Sequence, residues 1–420
     1  MFPAVVNNNN SNNNNNNDNN NNNNNNIDLV FSTCYGSVKC QTVYRLVTIL
    51  KTKLNSKYKC KAVNTWAIPV YIFSFGVTKW NGMDLDKANR TIRAIMYKYN
   101  VHHPRSPKVR IYLHRQLGGR GLAYLSSLHD AQVTTLRKYF RPQREYPITE
   151  MMKLDRNYTP PNSSSNSHET PNNVLIHHQM LCNWTQNQLH RNHANKKEED
   201  TIDLQSTYEQ LIRGELYCET KGFIVARQDE VISTRSHQRH VMNREIETDL
   251  CRKCRSSIET IGHIIAGRIT FASTAYLNRR NRSAPVMDEN ENATMYRQII
   301  TDRPINANKP DIVVLSWENK AIDIMDVSIP LTQNTQTAYS DKIVKYTELA
   351  QEMKGMYNVE KVTITPIVIS CAGVAPKTAI KGINYLAIHN TLEKANKAVL
   401  LSTATLHRAF LQQQHIQMLE

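Results

Sequence analysis

The sequence predicts an α+β multidomain protein, mainly helical in its N-terminal half and closed by a small α/β domain. Three observations carry this. The chain has 420 residues, enough for two or three separate cores. Its N-terminal half repeats apolar residues at helical spacing, as Leu85, Ala88, Ile92 and Ile95 do in "DLDKANRTIRAIMYKYN", with Lys and Arg on the other side. From about Lys309 the texture changes to short β-branched runs separated by turns.

In chain order, residues 1–26 form an Asn-rich tail, since "NNNNSNNNNNNDNNNNNNNN" offers no apolar side chain to offset the entropy of folding. Residues 27–146 form a basic helical region. Within it "RSPKVRIYLHRQLGGRGL" holds a short strand-like run and a tight Gly118-Gly119 turn. Residues 147–200 are assigned to a linker because of the Pro, Ser and Asn cluster "TPPNSSSNSHETPNN". Residues 201–285 are helical again and contain "CRKC". In residues 286–420, "DIVVLSW" and "KAIDIMDVSI" are two strands joined by the turn "ENK"; a helix over roughly Ala338 to Tyr357, the strand "VTITPIVIS" and two closing helices follow. That order describes a mixed sheet, with no internal repeat.

Composition narrows the partner class. The 52 Lys and Arg outweigh 36 Asp and Glu, giving a net charge of +16 and a pI near 9.4. Such an excess suits a polyanion, DNA first and RNA second, though a solvated basic surface gives the same count. Eight scattered cysteines do not form a secreted disulfide framework. "MFPAVVNNNN" does not read as a signal peptide, and "AIPVYIFSFGV" is too short to cross a bilayer. The expectation is an intracellular protein without a membrane partner, placed in the nucleus if its partner is DNA.

Chemistry is suggested at two places. Asp311 opens the first strand of the C-terminal domain, and Asp326 lies 15 positions later near the end of the second. Two carboxylates at one sheet end could share Mg²⁺, which takes oxygen ligands and can touch both a phosphate and its attacking water. They could equally be a turn residue and a strand cap. On the next helix Lys342, Tyr346, Leu349 and Met353 share a face. If Leu349 and Met353 meet the sheet, Lys342 is carried to the strand ends, where it needs an acidic or phosphate partner unless it snorkels to solvent. Elsewhere Cys251 and Cys254 have knuckle spacing, and eight residues separate Cys254 from His263. These are three of the four ligands that a closed zinc site requires, or simply structural residues.

The combination of "KPDI", Asp326 and "DKIVKY" resembles the restriction-like endonuclease at the C-terminal end of site-specific non-LTR retrotransposon polyproteins, a variant of the PD-(D/E)XK nuclease fold. The resemblance implies that Asp311 and Asp326 are Mg²⁺ ligands, that Lys342 orients the attacking water or stabilises the phosphoryl charge, and that Tyr346 supports the site. Ser328 stands where many such nucleases carry a lysine, and the family moves that lysine to the helix. The family's Cys-Cys-His-Cys knuckle is matched by Cys251, Cys254 and His263, but Arg268 replaces the last cysteine. Arg280 replaces the histidine of the Arg-His-Asn motif that follows. This implies a weakened or open Zn²⁺ site.

Upstream, "KYKCKAVNTWAIPVYIFSFGVTKW" and the run ending in "RGL" are similar to the thumb and post-thumb region of the same polyproteins. By that likeness Arg110, Arg115 and Arg120 contact nucleic-acid phosphates; a basic surface beside a Gly turn accounts for them equally well. The paired aspartates of a polymerase palm do not occur in the sequence. The expected function is therefore a Mg²⁺-dependent strand-nicking endonuclease without polymerase activity. The alternatives are a catalytically inert remnant that only binds nucleic acid, and a structural or adaptor protein.

Overall fold

Asparagine caps set the start of two early helices. The side-chain oxygen of Asn55 accepts from the Tyr58 N–H at 3.1 Å and that of Asn81 from the Asp84 N–H at 2.8 Å, each satisfying a donor that a helix start leaves open. The computed structural model describes residues 36–155, 158–162, 173–186, 191–195, 199–213, 215–267, 293–294, 298–385 and 391–416. The Asn tract, Arg268 and Arg280 lie outside them.

The helical half comprises α1 (36–51), α2 (Ser56–Ala62), α3 (Pro69–Phe75), α4 (Gly82–Lys98), α5 (Val109–Tyr112) and α6 (Leu125–Phe140). The periodicity expected of α4 is present. Leu85, Ala88 and Ile92 are buried with Met96, while Ile95 packs on the rim of the same core. They meet Leu46 and Leu50 of α1, Tyr71 and Phe75 of α3, and Leu125 of α6. Each such side chain contributes about 1.5–3 kcal/mol by leaving water.

Two expectations need correction here. "VRIY" is a single helical turn, α5, instead of a strand. Pro107 opens that turn, its carbonyl accepting from Arg110 N–H at 3.0 Å. The turn packs against a helix, and β-propensity yields to such context. The expected linker, 147–200, contains α7 (Ile148–Leu154), α8 (Asn173–Thr185) and α9 (Arg191–Asn195). Trp184 of α8 is fully buried against Leu113 and Ala194. The loop-like composition is thus confined to the Pro, Ser and Asn cluster, most of which lies outside the described residues. The Gly-Gly turn is as expected: Gly118 has φ +84°, and a Cβ on Gly119 would stand 1.9 Å from the Leu113 carbonyl oxygen.

The middle region, α10 (Leu204–Arg213), α11 (Cys218–Gln228) and α12 (Arg235–His240), packs onto the C-terminal domain. Ile224 of α11 meets Leu400 and Ala404 of the last helix. Asn396 donates to the carbonyls of both Ser206 and Gly373, 2.9 and 3.1 Å away.

The C-terminal domain is the mixed sheet the sequence describes. Its order is β1-β2-β3-β4, formed by β1 (Ala293–Thr294), β2 (Ile312–Ser316), β3 (Ala321–Ser328) and β4 (Lys361–Val368). β2 and β3 are an antiparallel hairpin, whereas β3 and β4 run parallel. A parallel neighbour demands a crossover, supplied by α13 (Thr335–Met356). Side-chain alternation divides the sheet. Val313, Ile322 and Ile324 meet Leu349 and Met353 of α13 on one face. Ile312, Met325, Val327 and Ile367 meet Ala395 and Val399 on the other. That second layer is α15 (Thr391–Ile416), preceded by α14 (Lys377–Tyr385).

Candidate active site

The β2–β3 register decides how the two aspartates stand to each other. Ile312 pairs with Met325 as the last pair of the ladder, and Asp311 lies one residue before it, in a bend. Its N–H donates to the Met325 carbonyl at 3.1 Å, one residue short of the acceptor that the ladder would offer, so the regular pairing stops here. By alternation along β3, Asp326 shares the face of Ile322 and Ile324, beneath α13. The Asp311 Oδ2 accepts from the Val327 N–H at 2.7 Å, which ties the half-buried carboxylate across the hairpin.

Asp326 is 2 % exposed, and α13 brings two donors to it. The Tyr346 hydroxyl lies 2.6 Å from Oδ1, and the Lys342 ammonium 2.5 Å from Oδ2. Burying a carboxylate is costly unless such partners meet it. Lys342 and Tyr346 are one helical turn apart, and the burial of Leu349 and Met353 against the sheet turns their common stripe towards Asp326. The four expected residues are therefore gathered at one end of the β2–β3 hairpin.

Sequence reasoning missed Lys345. Its ammonium is 2.8 Å from the Tyr346 hydroxyl and 4.5 Å from the centre of the ring. The phenol has one proton and the Asp326 carboxylate is its closest acceptor, so Lys345 donates to the phenolic oxygen. The Lys309 carbonyl lies 3.1 Å from the same hydroxyl. Lys345 is present in "DKIVKY" three residues after Lys342, a spacing that shares a helical side and could have marked it. Ser328, two positions after Asp326, serves the sheet: its carbonyl accepts from Ile369 N–H at 3.1 Å.

Cys251, Cys254 and His263 also come together, their candidate ligand atoms within 4.8 Å of one another. Local folding explains this. Leu250 bridges Ile258, Cys251 N–H donates to Ser257 O, and Arg255 N–H closes the turn on Cys251 O at 2.8 Å. Cys254 Sγ lies 3.2 Å from His263 Nε2, and hydrogen bonds from Ser256 bring the Cys254 thiol down to about 6. The turn rests on the C-terminal domain. Cys251 packs with Leu406 and Phe410 of α15, and Arg252 lies over the Phe410 ring while pairing with fully buried Glu259. Two thiols and an imidazole suit Zn²⁺ as three of four tetrahedral donors.

The three arginines expected at phosphates have different tasks. Arg110 is fully buried. It pairs with Asp229 at 2.7 Å, donates to Gln228 at 2.5 Å and to Gly118 O at 2.9 Å, and lies over Trp184. Arg120 is 1 % exposed and donates to Ser56 and to the Val101 carbonyl; burial lowers its pKa to about 10. Arg115 is half-buried and holds Leu211 O at 2.9 Å and Lys57 O at 3.3 Å. These guanidiniums join α2, α10 and α11 to the Gly-Gly turn. Composition could not separate them from surface charge, because the acceptors are backbone carbonyls and side chains remote in sequence.

No known protein family and no curated protein matches the sequence. Among the described residues, no helix is long and apolar enough to cross a membrane.

Proposed function

We propose that this chain is a retrotransposon-derived fragment whose C-terminal domain is a PD-(D/E)XK-like, Mg²⁺-dependent endonuclease that nicks one DNA strand. The single observation that carries the reading is the convergence on Asp326: Lys342 at 2.5 Å and Tyr346 at 2.6 Å, with the Asp311 carboxylate on the N–H of the next residue, Val327. Asp311 and Asp326 would hold Mg²⁺, whose normal protein complement is one or two carboxylates with the remaining positions left to water and phosphate. When bound, the ion supplies charge stabilisation at the phosphoryl group and an acidified water.

The chain's own residues do the rest. Lys342, spending one of its three donors on Asp326, offers the others to the attacking water or to a phosphate oxygen. Tyr346 fixes the Asp326 carboxylate, and Lys345 fixes Tyr346. Cleavage by water would leave a 3′-hydroxyl. At the second site, Cys251, Cys254 and His263 would hold Zn²⁺ weakly, with one position open. The net charge of +16 fits a DNA partner, with RNA second, and a nuclear location.

One observation favours a second reading, an inert remnant that only binds nucleic acid: both Asp326 oxygens are already engaged by Lys342 and Tyr346. Supercoiled plasmid incubated with Mg²⁺ separates the two. The nuclease reading expects relaxed circles from the wild type and none from Asp326→Ala. Equal nicking by both proteins, or by neither, overturns it.

A further inference from the structure

A cavity of about 950 Å³ belongs to neither the acidic pair nor the thiols. Its walls come from α9, α11 and α12, from the turn carrying His263, and from the loops that follow β3 and β4, at Leu331–Gln333 and Cys371–Ala372. A crevice beyond the carboxyl ends of parallel strands is where α/β domains commonly bind ligands.

One wall residue is chemically incomplete. Arg227 is 4 % exposed, and its Nε and Nη1 hydrogens meet no acceptor. The groups that favour its charge are the Cys371 sulfur and the Glu230 carboxylate, and burial still lowers its pKa. A buried guanidinium with unsatisfied donors is costly unless an anion completes it. Glu230 does so only in part, because its carboxylate is exposed and accepts from Asn192 at 3.2 Å. Arg105 adds a second cation at the rim, with His237 and His240 beside it, against the carboxylates of Glu199 and Glu230.

We infer that this cavity is a binding site for a nucleotide phosphate, seated on Arg227 with Arg105 at its rim. Guanidinium forks match phosphate oxygens, and a volume of this size accommodates one nucleotide unit. The phosphate belongs either to a free nucleotide or to a unit within a nucleic-acid strand. The inference does not depend on the nuclease reading, since it involves neither Asp326 nor a divalent cation.

The test is equilibrium dialysis of the full chain with radiolabelled dAMP, in EDTA and 150 mM salt, so that strand cleavage plays no part. Saturable binding of one dAMP per chain is expected, weakened at least tenfold in Arg227→Met and at least threefold in Arg105→Met, and unchanged in Asp326→Asn. Arg105 is exposed, so its variant reads the site even if Arg227→Met does not fold. A short oligonucleotide that displaces dAMP identifies the strand as the source, and retention of dAMP identifies the free nucleotide. Absence of saturable binding, or wild-type affinity in either arginine variant, overturns the inference.

Discussion

Lys221 offers the sharpest test of how this protein handles its positive charge. It lies in α11, 1 % exposed, with no hydrogen-bond partner for its ammonium, and Arg115 and Arg120 are the cations that face it. Burial, reinforced by these arginines, brings its pKa from 10.5 down to about 6. The folded protein therefore holds a neutral amine at pH 7, whereas the unfolded chain carries a proton. Between the two pKa values the unfolded state binds one proton more, so stability rises with pH through this window and the lysine's cost is greatest below it. At about 1.4 kcal/mol per pKa unit, the cost is on the order of 5 kcal/mol at pH 7 and falls by about 3 kcal/mol by pH 9. Lys221→Met, which keeps the unbranched shape and removes the charge, should thus be the more stable protein at pH 7. Its advantage should shrink by about 1.4 kcal/mol per pH unit towards pH 9. Urea unfolding of both proteins at half-unit pH steps measures the difference. A difference that stays flat from pH 7 to 9 would refute the reasoning, for it would mean that the ammonium is solvated or paired in the folded state.

Two other outcomes are expected. Tyr346→Phe removes the 2.6 Å hydrogen bond to the Asp326 carboxylate, which should cost about 1.5–3 kcal/mol in chemical denaturation and slow plasmid nicking. A stability equal to wild type would show that the phenol does not hold the carboxylate. Zinc added to purified protein should raise the melting temperature, fail to do so in Cys254→Ser, and be lost on dialysis against EDTA. Metal analysis giving one zinc per chain after that dialysis would contradict an open site.

The elements of the C-terminal domain were legible because each carries a local signal. Alternation in "KAIDIMDVSI" needs only a sheet with two faces, and Leu349 and Met353 need only a helix laid on one of them. The nearness of Asp311 to Asp326 at one end of the hairpin follows from its register, which the turn fixes. Lys342 and Tyr346 were legible for the same reason, as neighbours one turn apart. In the N-terminal half the reading failed where meaning depended on distant partners. "VRIY" is β-branched in part, yet it coils into α5. The stretch 147–200 reads as a linker, but Trp184 inserts against Arg110, 74 positions away in the chain.

By itself, then, the sequence determined the periods: where helices and strands form, which residues share a side, and which thiols and imidazole are close enough along the chain to meet. Those properties are set by backbone geometry over a few residues, and they survive in any fold. Only the tertiary structure decided which charges are used up inside. Arg110 finds Asp229, Arg120 finds Val101 O, and Lys221 finds no acceptor at all. Desolvation and pairing arise from groups remote in the chain, so a lysine or arginine in the sequence carries no mark of whether it will face water, a carbonyl or a phosphate.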